Sequence, residues 1–117
     1  MQLFIHYGHL YIYTVYGYKC KDVIRSYRDH ATADLFNGRD TKAVRQRLPK
    51  DLWGRARRIL DQLQRAHVVG DMAQPPGNRF EKLYGGGYSV RINDQYRVTF
   101  NWKDDAAEEV WCGDYHD

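Results

Sequence analysis

Tyr88-Ser89-Val90-Arg91-Ile92-Asn93-Asp94-Gln95-Tyr96-Arg97-Val98-Thr99-Phe100-Asn101-Trp102 is the stretch whose pattern sets the fold. Tyr88, Val90 and Ile92 alternate with Ser89, Arg91 and Asn93; beyond a polar break, Val98, Phe100 and Trp102 alternate with Arg97, Thr99 and Asn101. A period of two marks strands with one buried face. Matching the apolar faces sets Val90 opposite Val98, and so Arg91 opposite Arg97. Asn93-Asp94-Gln95 then remains as a three-residue hairpin loop, a common length. Arginines directly opposite each other repel, at a cost of ~0.2–1 kcal/mol. Such a pair either fans into solvent, takes a carboxylate of the acidic C-terminus between its members, or forms a face that binds phosphate.

Working outward, Phe80 to Tyr84 and Glu109 to Asp114 read as further strands. Pro75-Pro76-Gly77-Asn78 is a strong break. Before it the period is helical. Leu52, Trp53, Ala56, Ile59, Leu60 and Leu63 recur at helical spacing in a helix that starts near Pro49 and runs to about Ala66. Arg55, Arg57, Arg58 and Arg65 fall largely off that stripe. Ala31 to Phe36 suggests a short helix stopped at Asn37-Gly38, and Ile24 to Tyr27 a short strand. Helices first and an antiparallel sheet after them make an α+β domain.

The chain has 117 residues, one domain's worth. With 43% apolar and 28% charged residues it is not a disordered polypeptide. Cys20 and Cys112 are too few for a disulfide scaffold or a four-ligand zinc site and read as reduced thiols. The five histidines show no HExxH or Cys/His ligand spacing, so neither metal nor cofactor is expected. The net charge of +3 is unevenly spread: Arg39 to Arg65 carries +6 and Lys103 to Asp117 carries −5. That asymmetry fits a basic surface for a polyanion or an acidic partner, or simply a solvated helix face.

Met1 to Tyr18 stands apart, with no charged side chain and five of the ten tyrosines. It lacks the basic start and cleavage site of a signal peptide and is too polar for a membrane span. Leu10 to Tyr18 has strand-forming composition without a polar face. Residues 1–22 are therefore expected to lie outside the domain. A native start at Val23, the residue a GUG codon would encode, fits this, with the domain running from 23 to 117.

Val23-Ile-Arg-Ser-Tyr-Arg-Asp29, Leu35-Phe36, Pro75-Pro-Gly-Asn-Arg-Phe-Glu81, the hairpin from Tyr88 to Arg97 and the terminal Asp114-Tyr115-His116 together resemble a HigB-type toxin. These are the plasmid maintenance killer proteins of the RelE/ParE superfamily. The resemblance spans Val23 to His116, 94 of the 117 residues, in order. It implies a microbial-RNase-like fold with two helices packed on a small antiparallel sheet. It implies a cytoplasmic bacterial toxin that cleaves mRNA on the translating ribosome without a metal. It implies a helix-turn-helix antitoxin of the HigA type as partner, with operator DNA reached only through that antitoxin and no membrane involved.

By the same resemblance Arg97 is expected at the scissile phosphate, and Asp114, Tyr115 and His116 near the cleavage site. His116 and Tyr115 join Arg97 as candidate catalytic residues. Arg91, Asn93, Asp114, Arg79 and Lys82 make up the candidate RNA-binding set. The departure is at Leu83-Tyr84-Gly85-Gly86-Gly87, where relatives often carry a longer loop with a lysine or small polar residue in place of Tyr84. Lys82, two positions away, does not replace that lysine. The basic helix over 50–66 is a candidate contact for ribosomal RNA or for an acidic stretch of the antitoxin. Trp53, Trp102 and Trp111 read as core or hairpin packing, and Cys112 as a small buried residue. The alternatives are a gyrase-targeting toxin of the ParE branch and a degenerate RNA- or antitoxin-binding module. Asp-Tyr-His and the Arg91/Arg97 pair favour the RNase branch.

Overall fold

The computed structural model describes residues 24–115 and, upstream, two strands, β1 (Gln2–His6) and β2 (His9–Tyr13), which pair antiparallel in a two-stranded sheet of their own. The stretch read as strand-forming, Leu10 to Tyr18, lies outside the described residues from Thr14 on. Then follow α1 (His30–Phe36), α2 (Lys42–Arg47), α3 (Trp53–Arg65), β3 (Glu81–Lys82), β4 (Tyr88–Arg91), β5 (Tyr96–Lys103) and β6 (Ala106–Asp114). The last four strands form one antiparallel sheet in the order β3-β4-β5-β6.

The hairpin takes the register its alternation requires: Val90 faces Val98 and Arg91 faces Arg97. Its loop is closed by the Asn93 side chain, whose Oδ1 accepts the backbone N–H of Gln95 at 2.9 Å and of Tyr96 at 2.8 Å. This turn chemistry belongs to asparagine, which mimics a backbone carbonyl. One face of the sheet, with Val90, Ile92, Val98, Phe100, Val110 and Cys112, is buried with Ala56, Ile59, Leu60 and Leu63 of α3 and Leu35 of α1 in a single core. Cys112 is fully buried, and desolvation pushes its thiol up to about 11, so it stays a neutral packing group.

Several boundaries differ from the periodicity. The helix expected from Pro49 opens as a 3-10 turn, Lys50–Leu52, before α3 proper. The strand expected from Phe80 to Tyr84 shrinks to Glu81–Lys82, and β6 begins three residues early, at Ala106. α2 went unmarked because six residues are under two turns and show no period. Ile24 to Tyr27 makes no full strand. It runs parallel to β6 through two isolated bridges, Ile24 with Ala107 and Tyr27 with Val110.

Asp29, the last residue of the opening motif, caps α1 by accepting from the Thr32 backbone N–H at 3.0 Å and the Thr32 hydroxyl at 2.9 Å. It also pairs with Arg47 of α2 at 2.8 Å. Burial alone would raise its carboxyl; the Arg47 guanidinium and the two Thr32 donors outweigh that and hold it below the usual value. A lowered folded pKa means the stabilisation is complete above the unfolded value, ~3.9, and is lost as pH falls through the folded one. Asp29→Ala is therefore expected to cost ~1–2 kcal/mol near neutrality. The gap from wild type should close in acid. Thermal melts of both proteins from pH 7 downward check this; a gap independent of pH would assign the loss to something other than the carboxylate.

Candidate nucleic-acid interface

The face of the sheet away from the core carries Ser89 and Arg91 on β4, Arg97, Thr99 and Asn101 on β5, and Trp111 and Gly113 on β6. This follows from the pairings Ser89–Thr99–Trp111 and Arg91–Arg97–Gly113. Arg91 and Arg97 are thus neighbours on one row. The Arg91 guanidinium pairs with Asp94 of the hairpin loop, a carboxylate local to the turn. Arg97 Nη1 is buried and makes no hydrogen bond among the described residues. A buried donor of a charged group left unpaired costs about 1–3 kcal/mol or more, a strain that an anion at this point would relieve.

A cleft of about 540 Å³ opens beside this row. It lies between the Leu83–Gly87 loop, Thr99 to Asn101 of β5, Trp111 of β6, Arg28, and Asp114-Tyr115 at the end of β6. The loop is tight: the Leu83 N–H donates to the Gly87 carbonyl at 2.9 Å and the Gly86 N–H to the Leu83 carbonyl at 3.2 Å. Gly85, Gly86 and Gly87 all have positive φ, at 93°, 114° and 85°. A Cβ on Gly87 would lie 2.8 Å from Asn101 Oδ1, so the loop sits directly on β5. Tyr84, at its tip, is fully exposed.

Gln95 ties the end of β6 to the hairpin loop. Its Nε2 donates to Asp114 Oδ2 at 2.8 Å, and its carbonyl accepts the Tyr115 N–H at 3.3 Å. Tyr115 is 45% exposed at the cleft wall. His116 lies outside the described residues.

The sequence-derived candidates therefore separate. Arg97 and Arg91 share a row, and Asp114 and Tyr115 line the adjoining cleft. Asn93 spends its side-chain oxygen on the turn. Lys82 pairs with Tyr88, while Glu81 pairs with Ser89, so register sets Lys82 on the side of Tyr88 and not on that of the two arginines. Arg79 caps a 3-10 turn in the left-handed region at φ 43° and is exposed. Trp53 and Trp102 pack with the core as expected. Trp111 does not: it lines the cleft, with Arg47 and Arg28 guanidinium carbons 5.5 and 5.9 Å from its ring centre. The placement followed from strand parity, since Trp111 and Cys112 alternate and Cys112 is the buried one. Arg28 was missed because nothing local marks it. Among the described residues, no three His, Cys, Asp or Glu side chains gather as metal ligands, and no helix is long and apolar enough to cross a membrane.

A family model described as a RelE-like toxin of the type II toxin–antitoxin system HigB matches residues 25–116. The chain belongs to the HigB-like toxin family. It is also 43% identical over 63 residues to Toxin HigB-1 of Vibrio cholerae, a match covering 51% of this chain and 66% of that protein. The chain thus spans just under two thirds of that relative. The matched family region takes in α1 to β6 and the whole arginine row.

Proposed function

We propose that this chain is the toxin of a type II toxin–antitoxin system and acts as a ribosome-dependent mRNA endoribonuclease in the bacterial cytoplasm. The observation that carries the reading is the buried, unpartnered Nη1 of Arg97 on a row shared with Arg91, beside a polar cleft. Cleavage through the 2′-hydroxyl needs a base for its proton, cations for the charge gathering on phosphorus, and an acid for the 5′-oxygen leaving group. Arginine suits the second role, being always charged and able to grip phosphate oxygens in a fork. Arg97 takes it, assisted by Arg91. Tyr115 orients the phosphate or stacks on a base, His116 exchanges the proton, and Asp114 holds the terminus in place. The antitoxin is a HigA-type helix-turn-helix protein, through which alone operator DNA is reached. The cationic outer side of α3 serves ribosomal RNA or an acidic antitoxin segment.

The test is induction of the full chain without an antitoxin gene, with primer extension on cellular mRNA. Growth arrest with discrete in-frame cuts is expected. Arrest with intact mRNA would move the reading to the gyrase-targeting branch; unimpaired growth with soluble protein would count against both toxin readings.

The Arg91–Asp94 pair makes its own prediction. Asp94 is 94% exposed and competes with phosphate for Arg91. An exposed pair of this kind is worth ~0.2–1 kcal/mol. Asp94→Asn is expected to tighten half-saturation of cleavage by about 1.5–5-fold at low salt, with the gain fading at high salt. Titration of toxin against translating ribosomes at two ionic strengths checks it; unchanged half-saturation would mean that Arg91 does not meet the RNA.

A further inference from the structure

Trp111 and Arg28 do nothing for the core. Trp111 sits on the cleft face of β6, and the backbone has been shaped for it. Gly113, two residues on, leaves the space its ring occupies: a Cβ there would lie 2.7 Å from Trp111 Cζ2 and 2.8 Å from Arg47 Cδ. The ring therefore folds down along the strand, over the residue paired with Arg97. Arg47 supports it and is itself fixed, donating to the Cys112 carbonyl at 3.0 Å and pairing with Asp29 at 2.8 Å. Arg28 is differently placed. It is exposed, lies 5.9 Å from the ring centre, and has no carboxylate or hydrogen-bond partner for its guanidinium among the described residues.

We propose that Trp111 and Arg28 form a nucleobase subsite, which stacks the base next to the phosphate held by Arg97 and sets the base preference of the cut. The proposal rests on the endoribonuclease reading and names a specificity element within it. An indole in contact with an anchored arginine is a rigid, low-entropy platform for a planar base. An arginine resting on that ring gives up only a weak cation–π contact when a base takes its place. It is then positioned to grip the phosphate of the same nucleotide. Purines, with the larger π-face, are favoured over pyrimidines.

The experiment is single-turnover mRNA cleavage on translating ribosomes, with cut sites mapped across all codons. Wild type is compared with Trp111→Phe, Trp111→Leu, Arg28→Ala and Arg97→Ala, with melting curves for each. Trp111→Leu is expected to raise the half-saturating concentration roughly 10–100-fold, the scale of one lost stacking platform. It should also flatten the purine preference beside the cut. Trp111→Phe should keep most of both. Arg28→Ala, an exposed change that leaves the core alone, should raise half-saturation several-fold and weaken its salt dependence. In contrast, Arg97→Ala should lose rate at saturation. An unaltered base profile and half-saturation in folded Trp111→Leu and Arg28→Ala would overturn the subsite while leaving the endoribonuclease standing. If Trp111→Leu does not fold, an Arg28→Ala enzyme indistinguishable from wild type suffices to overturn it. No cleavage by wild type would remove the endoribonuclease reading, and the subsite with it.

Discussion

Arg97→Ala is expected to reduce mRNA cleavage by ~10²–10³ while the protein folds at least as well as wild type. Both halves come from the same atoms. Arg97 stands opposite Arg91 in the sheet, and its Nη1 is buried with no hydrogen-bond partner among the described residues. Truncation relieves a repulsion of ~0.2–1 kcal/mol and removes an unsatisfied donor whose burial costs about 1–3 kcal/mol. It opens no apolar cavity, because the side chain is on the face away from the core. Offset by lost packing of the long side chain, the net is a melting temperature unchanged or a few degrees higher. In the reaction the balance reverses: negative charge grows on the phosphorane, and a preorganised donor is missing. Arg97→Lys keeps the charge but loses the fork, and should recover little activity. Melting curves beside primer extension on a reporter mRNA in a reconstituted translation system measure both effects. A folded Arg97→Ala protein that cuts at the wild-type rate would take the arginine out of the mechanism.

His116→Ala is the second large expected effect, at ~10²–10⁴ in rate if the imidazole exchanges the proton. Two bonds from Gln95 fix the chain up to the residue before it, one to the Asp114 carboxylate and one to the Tyr115 N–H. The end of β6 is therefore held beside the cleft and the arginine row. Histidine is the side chain that ordinarily titrates closest to neutrality, so it can give or take a proton there. The pH–rate profile separates this role from simple phosphate binding. Wild type should show an ionisation on its profile that His116→Ala lacks, and His116→Gln should not restore it. If the variant keeps the wild-type profile at a uniformly lower rate, the histidine binds rather than transfers the proton.

What was legible in the sequence was whatever repeats at short range. Alternation in Tyr88 to Trp102 fixed the hairpin register to the residue, because slipping by one would turn Val90, Val98 and Phe100 to solvent. The apolar stripe of α3 was equally plain, since Ala56, Ile59, Leu60 and Leu63 all had to be buried together. Parity also placed Arg91 and Arg97 on one row. Six-residue α2 escaped because it is too short to show a period, and the strand read over Phe80 to Tyr84 forms only at Glu81–Lys82. Tertiary structure alone decided the rest of the site. Arg28, in the segment running beside β6, reaches Trp111 across 83 positions of sequence, and Arg47 reaches the Cys112 carbonyl across 65. Neither contact has a local signature. Lys82, close to the site in sequence, was turned from the arginine row by its pairing with Tyr88. Sequence spacing specifies which residues share a face of one element. Which faces meet is set by burial of the core, and that packing brings Arg28, Trp111 and Tyr115 around one cleft.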